Sequence, residues 1–480
     1  MKENRMGTMP VAKLLVTMSL PIIASMFVQA LYNVVDTYFI SSVSQLGVTA
    51  LGYAFPIQNI MIGLAVGIGV GMNALVSRSL GEKNKKKAAK IASQGVLIAF
   101  CSFALFLLVG LFGSQIFMEH MVKNLNEPLA VKEEIVSLGT QYLHIVCCLS
   151  LGLFLEVTFE RILQATGKSI YTMISQGSGA VINIVLDYVF VLGKFGVPRM
   201  GVKGAAIATV IGQFAAAGIS ILFNLTRNTE FKLKFADLKP NAHYIGEVLY
   251  IGMPSVLMVA IGSVMNFLLN KVVLNVYGAD AITVFAYYFK LQSFVFMPIF
   301  GLNNGMVPII GYNYGAGHRK RLHNTIKIAY VFAFSFMLIG FAAFQIFPKE
   351  ILSVFSVSES MMAVGIPALR TISISFLFAG ICIVCGSVCQ ALGKSMYTFW
   401  VSFGRQLVAL IPAALLLSAI FHDVRAVWWA FPIAELVSLM LSLYFVRRVL
   451  KNLTWNKEIV AADADEPFGD GDEDLYEYEN

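Results

Sequence analysis

A chain of 480 residues that is 58% hydrophobic and only 13% charged, with a mean hydropathy of +0.74, is not composed like a soluble domain, where about a quarter of residues are charged. Apolar runs long enough to cross a roughly 30 Å hydrocarbon core as helices recur along its whole length, whereas the short alternating segments of a transmembrane barrel do not. The net charge of +7 follows from loop asymmetry, described below, and not from nucleic-acid binding.

The fold class is therefore all-α and polytopic. Twelve spans are expected, at 14–40, 51–76, 92–118, 135–160, 169–193, 204–226, 247–276, 281–313, 325–347, 362–388, 396–420 and 425–446. Lys2, Arg5 and Lys13 precede the first span as in a secretory signal, but the apolar run continues well past signal length. It reads as an uncleaved first helix. That helix carries Asp36 within LYNVVDTYF, with Asn33 three residues earlier. Span two contains GLAVGIGVG, two overlapping G-x-x-x-G patterns suited to close helix packing. Near the end of span four, Glu160 and Arg161 read as interfacial groups, while Glu156 lies deeper, where it is a candidate for substrate contact or gating. Span five brings VINIVLDYVF, with Asn183 and Asp187, and span six brings GAAIAT, with Thr209. In the second half Lys271, Lys290, Arg370, Arg405 and Glu435 are expected to form internal salt bridges. Cys382 and Cys385 form a C-x-x-C without a second pair or a nearby His, so the six cysteines read as buried free thiols. Residues 461–480 hold nine acidic residues and no basic one, and 456–480 read as a solvated, disordered tail.

Orientation follows from Lys and Arg. With twelve spans both termini share one side, and that side collects GEKNKKKAAK, TRNTEFKLKFADLKP, GHRKRLHNTIK and RRVLKN. Both termini are thus expected in the cytoplasm.

QATGKSIYT at Gln164–Thr172 returns as QALGKSMYT at Gln390–Thr398, 226 positions on. A phosphate-binding loop needs a further glycine five residues before Gly-Lys, and Ile162 and Val388 stand there instead. The two stretches are turns in which Gly167 and Gly393 end a helix and Ser169 and Ser395 are expected to cap the next. The repeat extends further: Pro21 and Asn33 align with Pro254 and Asn266, and GMNALVSRSLGEKNKKK aligns with GMVPIIGYNYGAGHRKR. The halves, 1–230 and 231–455, each hold six spans and so share one orientation, as in parallel-repeat transporters that rock two lobes about a cleft.

An Asp in mid-membrane costs about 2.5–3.5 kcal/mol and is by default functional. Asp36 and Asp187 lie at matching depth, roughly 8–9 Å inside the outer boundary at 1.5 Å per residue, and Thr209 matches them from span six. Asn183 shares a helical face with Asp187. The second half lacks this set: Leu269 aligns with Asp36, and Leu410 to Ala413 face Asp187. The residues alone leave proton and sodium both open as the ion such a site would take.

These features together resemble the multidrug and toxic compound extrusion (MATE) family over about residues 8–450. The resemblance is carried by the Pro21–Phe39 pattern with Tyr32-Asn33-x-x-Asp36, the repeated Q-A-x-G-K-S, and N-x-x-x-D followed by G-A-A-x-A-T. Shorter details are most similar to the MepA-like and DinF-like bacterial branches. The resemblance implies a V-shaped pair of six-helix bundles and cation-coupled antiport of drugs or metabolites, often lipophilic cations, across the plasma membrane. It also implies that Asp36, Asn183, Asp187 and Thr209 form the N-lobe cation site. The carboxylates that the NorM-like branch adds in spans seven and ten are missing, and span ten carries Arg370 instead. The expected partners are small molecules and the bilayer, with a monomeric chain, H⁺ or Na⁺ as the coupling ion, and no other cofactor or metal. With no nucleophile, metal or nucleotide set, the chain does not read as an enzyme. The alternatives are a lipid-linked oligosaccharide flippase of the same wider superfamily and a membrane receptor or scaffold that uses the acidic tail.

Overall fold

The computed structural model describes residues 4–123, 125, 127–234, 238–355 and 358–454, with only the backbone of 275–280. The acidic tail falls outside the described residues. Twelve apolar spans follow one another: α1 Val11–Ser41, α2 Gln45–Gly81, α3 Lys85–Val122, α4 Leu129–Cys148 with Leu151–Ala165, α5 Ser169–Phe190 and α6 Val202–Arg227, then α7 Ala242–Leu274, α8 Ala281–Gly315, α9 Arg319–Ile346, α10 Glu359–Ser373 with Phe376–Ala391, α11 Ser395–Phe421 and α12 Val424–Lys451. Among the described residues there are no strands.

The fourth helix of each half is bent, α4 by 47° and α10 by 46°, where hydropathy alone implied straight spans. Apolar content is indifferent to a bend, but a backbone break at Leu149–Ser150 is not. The repeated turns agree in detail. Gly167 and Gly393 have φ of +81° and +74°. Lys168 N–H bonds back to Leu163 O at 2.8 Å, and Lys394 N–H to Cys389 O at 2.7 Å. These are Schellman stops, which need the left-handed residue that glycine supplies without a Cβ penalty. The expected serine caps are not formed. Lys168 and Lys394 take the cap positions with no side-chain bond, and Ser169 Oγ turns to Met18 Sδ instead.

Backbone from Ala242 to Gly315 is helical throughout, 74 residues, which would span about 110 Å if straight. Yet a Cβ on Gly71 would strike the Val248 carbonyl, and one on Gly315 would strike that of Arg78. Both ends thus return to one short stretch of α2, so the run doubles back between α7 and α8.

These contacts are the seam between the halves. Gly63, Gly67 and Gly71 repeat every four residues and present one face of α2 to Val259, Gly252 and Val248 of α7. On the neighbouring pair, Gly305 of α8 lies on Ser19 of α1, and Gly301 lies on Ile23. Small residues let backbones approach within a membrane, where no hydrophobic drive pulls helices together. The seam occupies the ends of these helices nearest the basic loops. Beyond it Phe27, Leu31 and Val34 are exposed on α1 and Phe294 on α8.

Candidate ion and substrate site

The site begins with the packing of α5 on α6. A Cβ on Gly179 would lie 2.8 Å from Gly212 O, and one on Gly212 would lie 2.8 Å from Gly179 O. One and two turns along α5 from that crossing stand Asn183 and Asp187, and three residues back on α6 stands Thr209. The close crossing brings Asn183 Nδ2 to 3.5 Å from Thr209 Oγ1. Asp187 is 0% exposed. Asp36 of α1 is half-buried and within electrostatic range of Asp187.

Four oxygens here are buried with no hydrogen-bond partner in the protein: Asp36 Oδ1, Asn183 Oδ1, and both Oδ1 and Oδ2 of Asp187. Leaving such acceptors unpaired costs about 1–3 kcal/mol each, more when charged. Carboxylate, amide and hydroxyl oxygens gathered from three helices suit a hard cation, and the carboxylates equally suit a proton.

Tyr32, one turn before Asp36, lies within electrostatic range of Glu156, Asp36 and Asp187. Tyr142 of α4 is within range of both aspartates and donates to Gln58 Oε1 of α2 at 3.5 Å. The sequence reading missed all three as site residues. The i, i+4 spacing of Tyr32 and Asp36 was a usable signal, but nothing local marks Gln58 or Tyr142. Asn33 is exposed, while Glu156 of α4 is half-buried and within electrostatic range of Tyr32.

Glu160 and Arg161 are not interfacial. Glu160 is buried and accepts from Ser175 Oγ at 3.1 Å. Arg161 is buried and donates to Gln164 Oε1 at 3.0 Å and to Asn304 Oδ1 of α8 at 2.9 Å. The second segment of bent α4 runs within the protein, which removes these side chains from the membrane surface. In the second half Arg405 and Glu435 do pair, at 3.0 Å, and Arg405 sits in a π-helical stretch, Gly404–Leu410. Lys271 and Lys290 do not: both are exposed and make no ion pair. Of the cysteines, Cys101 is exposed and Cys148 half-buried, contrary to the buried reading, and all six are free. Among the described residues no group of His, Cys, Asp and Glu could hold a metal ion by itself.

Two six-span halves joined along a glycine seam, with a cluster of buried carboxylate and amide oxygens on α1 and α5, define a polytopic membrane protein of the transporter kind. The MatE family pattern matches residues 21–189 and again 254–415. The matches start at the aligned prolines, and their ends are 226 apart, the spacing of the Gly-Lys-Ser repeat. The chain belongs to the MatE family. It is 23% identical over 428 residues to the probable multidrug resistance protein NorM of Thermotoga maritima, covering 89% of this chain and 90% of that one. It is 26% identical over 446 residues to the multidrug export protein MepA of Staphylococcus haemolyticus, covering 93% and 95%. It shares its fold with a multidrug resistance MATE transporter solved in an outward-facing conformation, at TM-score 0.85 and 23% identity, covering 94% and 99% of the two chains.

Proposed function

We propose that this protein is a cation-coupled antiporter that exports small, drug-like organic compounds across the plasma membrane by alternating access. The observation that carries this reading is the set of four unpartnered buried oxygens on Asp36, Asn183 and Asp187. The family relatives named for multidrug export and resistance support the direction of transport. Residues 1–230 and 231–455 act as the two lobes of a monomeric chain, with both termini in the cytoplasm. On this reading the seam closes the cytoplasmic side, and substrate leaves by the opposite side.

A proton or sodium ion entering from outside is held by Asp36 and Asp187, with the Asn183 and Thr209 oxygens completing the set. Neutralising the pair removes the penalty of two buried like charges and lets α1, α5 and α6 pack more closely. That rearrangement changes the wall on which substrate rests and releases it outward. Returning to the cytoplasm-facing state requires the seam to part, including the Arg161–Asn304 bond.

Reconstitution in proteoliposomes tests this, with efflux of a fluorescent substrate such as ethidium driven by a pH or sodium gradient. Asp36→Asn and Asp187→Asn should each abolish gradient-driven export while the protein stays folded. Full ion-driven export by both variants would sink the proposal. Varying sodium at fixed pH separates the two ions.

A further inference from the structure

The wall facing the acidic pocket carries a cation without a partner. Helices α1 and α8 run antiparallel, and their contacts include Ser19 against Gly305 and Ile23 against Gly301. Over this contact each four-residue step outward on α1 matches a four-residue step outward on α8, and Pro298 of α8 stands just beyond it. Extended eleven residues beyond Gly301, this register brings Lys290 level with Val34. That is two residues, about 3 Å along the axis, from the level of Asp36.

The rotation is equally constrained. Eleven residues make three helical turns, so Lys290 lies on the face of α8 that meets α1 at Gly301. Ala286, Lys290, Ser293 and Phe294 form one exposed stripe leading into that contact. Tyr288 and Ile299, on the opposite face, are buried at 1% and 0% in the C-terminal half. Lys290 therefore falls on the side of α8 that carries its contact with α1.

A lysine at this depth on a lipid-facing surface would cost about 2.5–3.5 kcal/mol. It lies nine residues inside the start of α8 at Ala281, about 13 Å, twice what a lysine stem of about 6 Å spans to reach the interface. Among the described residues it makes no hydrogen bond or ion pair. Asp36 and Asp187 belong to the N-terminal half's cluster, where they form no ion pair with Lys290, and Glu435 is paired with Arg405. One turn inward from Lys290, Phe294 offers an exposed ring.

We infer that Lys290 is a specificity-determining residue of the cleft, binding an acidic group carried on an apolar, ring-bearing body that lies against Phe294. This rests on the transport reading and narrows it, from drug-like organic compounds in general toward amphiphiles that bear a carboxylate, sulfonate or phosphate. A compact ammonium on a flexible stem suits such groups as a point charge.

The test uses full-length protein in phosphatidylcholine nanodiscs and two probes of matched shape, naphthalene-2-sulfonate and (2-naphthylmethyl)trimethylammonium. Binding is read by equilibrium dialysis against empty discs. Lys290→Met should weaken the sulfonate about tenfold or more, the scale of one charge-assisted contact, and leave the ammonium probe unchanged or tighter. Lys290→Arg should restore the sulfonate. Wild-type protein that fails to bind the sulfonate, a Met variant that binds it as wild type does, or an equal loss of both probes overturns the inference. Phosphatidylglycerol mixed into the discs distinguishes sources. Displacement of the sulfonate from wild type assigns the acidic group to a lipid headgroup, and its retention assigns it to a free solute. Gradient-driven ethidium efflux, measured on the same Lys290 variants, keeps the two readings separate, because a Met variant with unaltered sulfonate binding and intact efflux overturns only this inference.

Discussion

Arg161 of α4 and Asn304 of α8 are joined by a 2.9 Å hydrogen bond from Nη1 to Oδ1 that crosses from one half of the molecule to the other. A hydrogen bond to a charged group is worth about 1.5–3 kcal/mol, enough to move a two-state equilibrium by one to two orders of magnitude. Asn304→Ala should therefore raise the population open on the basic-loop side, since Arg161 keeps Gln164 as a partner and is not stranded. Spin labels across the α1–α8 seam would report it as a longer-distance population. An unchanged distance distribution would remove this bond from the gate.

The glycine seam separates close packing from mere helix content. Gly71 has no room for a Cβ beside Val248 O, whereas Gly177 on α5 has nothing within 4 Å. Gly71→Ala should lower the melting temperature and impair export. Gly177→Ala should be neutral or stabilising by up to about 1 kcal/mol, the helix-propensity difference between the two residues. Thermal denaturation in detergent compares the two directly.

Thr209 distinguishes a sodium site from a proton site. Thr209→Val keeps shape and volume but removes the hydroxyl near Asn183 Nδ2. If sodium is the coupling ion, the sodium concentration for half-maximal transport should rise several-fold, with Thr209→Ser close to wild type. A proton carried by the aspartates alone leaves the pH profile nearly unmoved.

The two halves also differ at one turn in a way that stability measurements can read. Lys83, at φ +55°, ends α2 where Gly317, at φ +82°, ends α8. A left-handed conformation costs a residue with a Cβ roughly 1–2 kcal/mol. Lys83→Gly should therefore be tolerated or mildly stabilising, and Gly317→Lys destabilising by about 1 kcal/mol, by denaturation midpoint.

Much of this molecule is legible in one dimension. Hydropathy marks twelve spans because each must cross the same apolar thickness. The Gly-Lys-Ser pair exposes the duplication because a helix stop at a left-handed residue leaves a local signature. Asp36, Asn183, Asp187 and Thr209 declare themselves because charge and amide groups are costly in a span, and matching depth follows from counting residues. Less visible were features that depend on how each helix is rotated and bent: the burial of Glu160 and Arg161 behind the bend in α4, and the arrival of Gln58 and Tyr142 beside the aspartates.

Lys290 shows the division most clearly. Its presence in a span, with four other charged groups of the second half, implied salt bridging, since a charge in a low-dielectric medium calls for a partner. Arg405 and Glu435 met that expectation and Lys290 did not. Sequence by itself determined that a cation stands in α8 at that depth. Only the packing of Gly301 and Gly305 on α1 decided which side of α8 it shares with that contact, because a helix's rotation against its neighbour is a property of the pair.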